Sequence, residues 1–135
     1  MMKRNKGFTL VEILIVVIIL GILAAIVVPK FTEASDDAKL SALTTDLQIV
    51  RSQLEMYRIQ HKGNYPDTLA VLLTKTDADG KAGGNYGPYL PKLPTNSFVG
   101  ADTVDVSSQG SGNCGWFYDK STGTFGADDD DHKDM

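Results

Sequence analysis

Few side chains in this sequence are of a type and spacing that does chemistry, and the first is a carboxylate in an apolar setting. Glu12 is the only charged residue between Phe8 and Val28, a run of 21 residues. Near the centre of a membrane-spanning helix a carboxylate costs on the order of 2.5–3.5 kcal/mol. Nearer the end of the run the cost is lower, but aliphatic side chains fill the neighbouring positions, so a partner has to be sought. Phe8 stands four residues earlier, one helical turn away, directly after Lys6-Gly7. A second acidic feature is the run Asp128, Asp129, Asp130 and Asp131. It offers hard oxygen ligands of the kind Ca²⁺ takes, and it equally fits a solvated acidic tail. Asp77, Asp79 and Gly80 in "TDADGKA" resemble the opening of an EF-hand loop, but no glutamate follows at the closing position, which favours a polar turn. Cys114 is the single cysteine, so an intrachain disulfide is excluded and the thiol reads as inert. His61 reads as a packing or capping residue at a helix end, and His132 as incidental to the acidic run. The sequence holds no nucleophile–base pair, phosphate-binding loop or zinc spacing, which argues against an enzyme.

These residues are distributed over two different kinds of chain. The protein has 135 residues, 42% hydrophobic and 22% charged. The apolar run from Phe8 to Val28 would span about 31 Å as a helix, close to the thickness of a bilayer's hydrocarbon core. The rest is polar with short apolar patches. A cleaved secretory signal would have a shorter apolar region, so the run is expected to stay as a single-span anchor, with Lys3, Arg4 and Lys6 on the cytoplasmic side. Net charge is −4. Without residues 1–7, 10 basic against 17 acidic side chains leave −7. An acidic body of this kind argues against a nucleic-acid partner.

Gly21 and Pro29 are weak points in the helix, and Pro29 favours a kink. Beyond it Leu40, Leu43, Leu47, Val50, Leu54, Tyr57 and His61 recur at alternating spacings of three and four, an amphipathic stripe suited to packing under a sheet. Arg51 and Glu55 are placed to pair at i,i+4 on the solvent side. Gly63 or Asn64 suits a left-handed cap at the helix end. Pro66 and Asp67 then read as the start of a short helix whose apolar face is Leu69, Leu72 and Leu73. In the proline-spaced segment "GPYLPKLP", Tyr89, Leu90 and Leu93 are expected to pack on a surface. "ADTVDV" reads as a strand. Trp116 to Tyr118 and Thr124–Phe125 read as a hairpin around Lys120-Ser121-Thr122-Gly123.

The stretch "KGFTLVEILIVVIILGILAAIVVP" resembles the leader and N-terminal helix of type IV pilins and of the pseudopilins of type II secretion, closely from Lys6 to Pro29. The resemblance implies an α+β, type IV pilin-like fold, with a long N-terminal helix packed against a small antiparallel sheet. It divides the chain into a leader (1–7), a membrane or filament-core helix (8–29), the amphipathic half of that helix (30–63), a head (64–127) and the acidic C-terminal tail (128–135). A prepilin peptidase would cut between Gly7 and Phe8 and methylate the new amine of Phe8. Glu12 would then meet the amine of a neighbouring subunit during assembly and set its axial register. By the same resemblance the partners are copies of the chain in a helical filament, minor pseudopilins, and an inner-membrane platform with its ATPase. The protein would sit in the bacterial inner membrane with the head in the periplasm, and then enter a periplasmic or extracellular filament. The major pseudopilin of type II secretion is the closest match in character, and such subunits bind Ca²⁺ in a C-terminal loop where other pilins carry a disulfide. A surface-pilus subunit for adhesion, motility or DNA uptake, or a membrane-tethered binding subunit, stands as the alternative.

Overall fold

The computed structural model describes residues 7–135, and residues 1–6, with Lys3, Arg4 and Lys6, lie outside the described residues. The chain divides into two compact units at residues 38 and 39, which are described separately. Helix α1 is assigned without interruption from Leu10 to Gln60, with Pro29 inside it. The ring at Pro29 removes one backbone donor, and the helix nevertheless continues on both sides.

In the first unit, α1 buries nothing. The side chains of Leu14, Ile15, Ile18, Ile19 and Leu23 are all about half exposed, as far as a helix alone can cover them, and Phe8 is 81% exposed. Burying each such side chain fully is worth ~1.5–3 kcal/mol. The stretch is long and apolar enough to cross a membrane.

In the second unit, the stripe behaves as its spacing requires. Leu43, Leu47, Val50, Leu54 and Tyr57 are buried, whereas Leu40 at the head of the stripe is not. They pack with Trp116, Tyr118, Phe125 and Ala127 of the sheet and with Leu69, Leu72 and Leu90. The sheet has three strands in the order β1 (Val104–Asp105), β2 (Trp116–Asp119) and β3 (Thr124–Ala127). β2 and β3 form the expected antiparallel hairpin, with Tyr118 opposite Phe125. β1 runs parallel to β2, Val104 opposite Trp116. The sheet is therefore mixed rather than antiparallel. The cause is the connection 106–115, which crosses back to the start of β2 instead of turning tightly beside β1.

Other local expectations are corrected by specific bonds. The segment after Pro66 is a five-residue 3₁₀ turn, Leu69–Leu73, with Thr68 as N-cap. The carbonyl of Pro66 accepts the hydroxyl of Tyr118 at 2.8 Å. At the end of α1 the left-handed backbone begins at Lys62 (φ 60°) and continues through Gly63 (φ 88°), whose N–H returns to the carbonyl of Arg58. Arg51 does not pair with Glu55. Its Nε caps the open edge of β3 at the carbonyl of Phe125, and Glu55 takes the hydroxyl of Tyr65 and the guanidinium of Arg58. Tyr89 and Leu93 are partly buried against the core, and Leu90 fully, as the proline-spaced segment implies.

Candidate functional site: the helix start and the C-terminal loop

Two places bring the sequence-predicted residues together. The first is the start of α1. Leu10 is the first helical residue, so Thr9 is the N-cap and Glu12 the third residue in. The N–H and the hydroxyl of Thr9 both donate to Oε2 of Glu12, each at 3.1 Å. The N–H of Glu12 donates in return to the hydroxyl of Thr9 at 3.2 Å. This is a capping box, in which the first orphan donors of the helix are satisfied reciprocally. It places the carboxylate over the helix's electropositive end, where an anion is stabilised. The carboxylate is thus folded back onto Thr9, whose chain neighbour is Phe8. The sequence carries the signal, a threonine followed three residues later by a glutamate ahead of an apolar run, but the reading from membrane cost alone passes over it. Among the described residues, no atom lies within 4 Å of where a Cβ on Gly7 would sit.

The second place is the C-terminal loop. The four aspartates do not act as one ligand set. Asp128 is completely buried. Its Oδ1 accepts the N–H groups of Gly110 (3.0 Å) and Ser111 (3.2 Å), and its Oδ2 accepts the hydroxyl of Ser111 (2.6 Å) and the N–H of Cys114 (3.2 Å). Asp129 accepts the amide of Asn96 and pairs with His132. Asp130 pairs with Lys133, which holds its carboxyl below the usual carboxylate range. Asp131 is exposed. The residues beyond 127 are therefore packed, not a free tail: the ring of His132 stacks on Phe98 at 4.0 Å, and Gln109 donates to the carbonyl of Lys133.

The metal-type side chains that do converge are Asp105, Cys114 and Asp128, whose ligand atoms lie within 4.8 Å of one another. This set fits Ca²⁺ poorly. A thiol is a soft ligand, whereas Ca²⁺ requires six to eight hard oxygens. Asp105 is also occupied: its Oδ1 accepts the N–H and hydroxyl of Ser107, and these donors first of all hold its pKa down, while its Oδ2 lies 3.1 Å from the Ser111 hydroxyl, whose single proton goes to the nearer Asp128.

The remaining candidates are structural. Asp77 accepts the N–H groups of Asp79 and Lys81, a polar turn, and Asp79 pairs with Lys62. His61 is buried, stacked on Tyr57 at 3.6 Å, and bonded to the carbonyl of Tyr57 and the hydroxyl of Thr76. Asn96 had no signal in the sequence, yet it is fully buried. Its amide bridges the carbonyl of Gly115 to Asp129, and its oxygen accepts the N–H of Phe98.

With this geometry in view, comparison with known proteins gives a consistent result. Residues 2–28 match the family model of the prokaryotic N-terminal methylation motif, and residues 30–128 match that of the type II secretion system (T2SS), protein G. The chain is 38% identical over 98 residues to type II secretion system core protein G of Pseudomonas aeruginosa, covering 70% of this chain and 68% of that protein. It is 35% identical over 134 residues to the protein of the same name from Klebsiella michiganensis, covering 95% and 92%. It is also 43% identical over 107 residues to the type IV narrow pilus major component PilA5 of Thermus thermophilus, covering 79% and 90%. No solved structure matches the chain significantly.

Proposed function

The chain belongs to the type II secretion system protein G family, and from that premise we infer that it is the major structural subunit of a pilus-like filament serving protein secretion. The family is structural, so the chain is a building block and not an enzyme. An N-terminal apolar helix in such a family fits an inner-membrane-anchored, filament-forming protein.

Residues 1–7 form the leader, and prepilin peptidase cuts between Gly7 and Phe8 and methylates the amine of Phe8. The match of residues 2–28 to the methylation motif supports this. Residues 8–29 first lie in the membrane and then form the filament core, with Gly21 and Pro29 as the points of bending. Residues 30–63 carry the helix into the head, 64–127 form the head, and 128–135 close it. The N-terminus is cytoplasmic and the head periplasmic. Assembly proceeds on a membrane platform driven by an ATPase, with minor pseudopilins as further partners.

The observation that carries this reading is the start of α1, where the only carboxylate of the apolar run is held by Thr9 beside Phe8. Cleavage at Gly7 leaves a cation on Phe8. In an apolar filament core that cation needs an anion, since breaking a buried pair costs ~3–5 kcal/mol. Glu12 is the only anion available from Phe8 to Val28. A surface-pilus subunit remains the second reading, favoured by the similarity to the Thermus thermophilus pilus component. Mass spectrometry of the membrane-extracted protein tests the scheme. The expected mature chain begins at methylated Phe8, whereas an intact leader or cleavage at any other position contradicts it.

A further inference from the structure

We propose that the carboxylate of Asp128 is itself the staple of this head, closing the C-terminal loop without a divalent cation. Such a loop must be held by something. β1 and β2 are parallel, and ten residues, 106–115, make the connection. Parallel strands usually need a crossover of a dozen or more residues, most often a helix. This connection has no helix to stiffen it.

Asp128 supplies the stiffness. It lies directly after β3, at the opposite edge of the sheet from β1. Its two carboxylate oxygens take four donors from residues 110–114, at 2.6–3.2 Å. Its own carbonyl accepts the N–H of Gly112 at 2.9 Å. Gly110 and Gly112 adopt left-handed backbone (φ 84° and 70°) on either side of Ser111, the kind of alternation that turns successive N–H groups toward one point and makes an anion nest. In an ordinary nest the anion is a ligand. Here it is the side chain of the chain's own residue 128.

The polarity of the site decides against a cation. A bound Ca²⁺ is surrounded by lone pairs, with carboxylate and carbonyl oxygens at ~2.3–2.6 Å. The groups turned toward Asp128 are three N–H and one O–H, all presenting hydrogen. A cation on this carboxylate would have to displace them and leave buried donors without acceptors, which costs more than the bonds themselves contribute. The nearest further side chains, Cys114 and Asp105, do not make good the deficit: one is a thiol, and the other already accepts the N–H and hydroxyl of Ser107. Asp129 and Asp130 are committed to His132, Asn96 and Lys133. The head thus has no disulfide, and its C-terminal loop is closed by one buried carboxylate.

Thermal unfolding of the full-length protein in detergent, followed by circular dichroism, tests the proposal. Neither a calcium chelator nor added CaCl2 should move the wild-type midpoint. Asp128→Asn keeps the shape but turns an amide donor toward donors, and should lower the midpoint by roughly 5–10 °C. Ser111→Ala removes one donor to the same carboxylate and should lower it by a smaller amount, a variant that serves if Asp128→Asn does not fold. A wild-type midpoint that falls with chelator or rises saturably with CaCl2 would overturn the proposal. So would an Asp128→Asn or Ser111→Ala protein that melts like wild type.

Discussion

Two roles of the Glu12 carboxylate, capping α1 and offering a charge to an amine, are separable by substitution. Glu12→Gln retains an oxygen that accepts both bonds from Thr9, but it carries no charge. Thr9→Val has the opposite effect: it deletes the two bonds that run through the threonine hydroxyl and leaves the backbone bond from residue 9 to the carboxylate. Loss of a threonine N-cap costs ~0.5–2 kcal/mol, about a twofold to thirtyfold effect on a coupled equilibrium. Loss of the charge leaves a buried amine unpaired at ~3–5 kcal/mol, more than a hundredfold. Filament yield, taken as the ratio of subunit in the sheared fraction to processed subunit in the membrane, should therefore fall partially for Thr9→Val and almost completely for Glu12→Gln. Thr9→Ser should restore it, because the hydroxyl is kept. Cleavage should be normal in all three. If Glu12→Gln assembles like wild type, charge pairing is not what drives assembly. If Thr9→Val fails as completely as Glu12→Gln, the carboxylate acts through the cap, and the magnitudes above are misassigned.

Other expectations concern the head and the leader. Gly123 turns the β2–β3 hairpin at φ 73°, and a Cβ there would fall 2.2 Å from the ring of Tyr65, so Gly123→Ala should destabilise the head by ~1–3 kcal/mol in a denaturant titration. Burial, and then the neighbouring Tyr57 and Tyr65, push the Tyr118 phenol well above its ordinary value. A raised pKa means that its contribution is intact below pH ~10 and is lost as pH rises beyond that. The melting temperature should thus decline above pH ~10, and Tyr118→Phe should flatten that decline while losing the bond to Pro66. A bulky residue at Gly7 should leave uncleaved precursor in the membrane, seen as a mass increase of the whole leader.

Much of the architecture is legible from the sequence because it rests on local repetition. The three-and-four spacing from Leu43 to His61 specifies the buried face of α1, and the Trp116–Phe125 segment specifies a hairpin by alternation and its Gly123 turn. Features that depend on distant residues are not legible in this way. The parallel pairing of Val104 with Trp116 follows from how a ten-residue connection is clamped, and the clamp is made by a residue that composition places in an acidic tail. Asp128 differs from Asp131 only in what surrounds it. Arg51 looks like half of an i,i+4 pair until β3 offers an unpaired carbonyl, and a charge-assisted bond to a fixed acceptor outcompetes a solvent-exposed ion pair. Asn96 bonds to partners 19 and 33 residues away, a separation no local pattern encodes. At the helix start the motif was present, and its capping meaning is hidden only because the same glutamate stands out more strongly as a charge among aliphatic residues.

The most direct measurement of the central claim is a cryo-electron-microscopy reconstruction of filaments purified from cells expressing this chain. The account predicts a helical core built from residues 8–29, with the methylated amine of Phe8 within hydrogen-bonding distance of a Glu12 carboxylate, and heads formed by residues 64–127 on the outside. A core in which Glu12 faces solvent, or in which the Phe8 amine has no carboxylate partner, would contradict it.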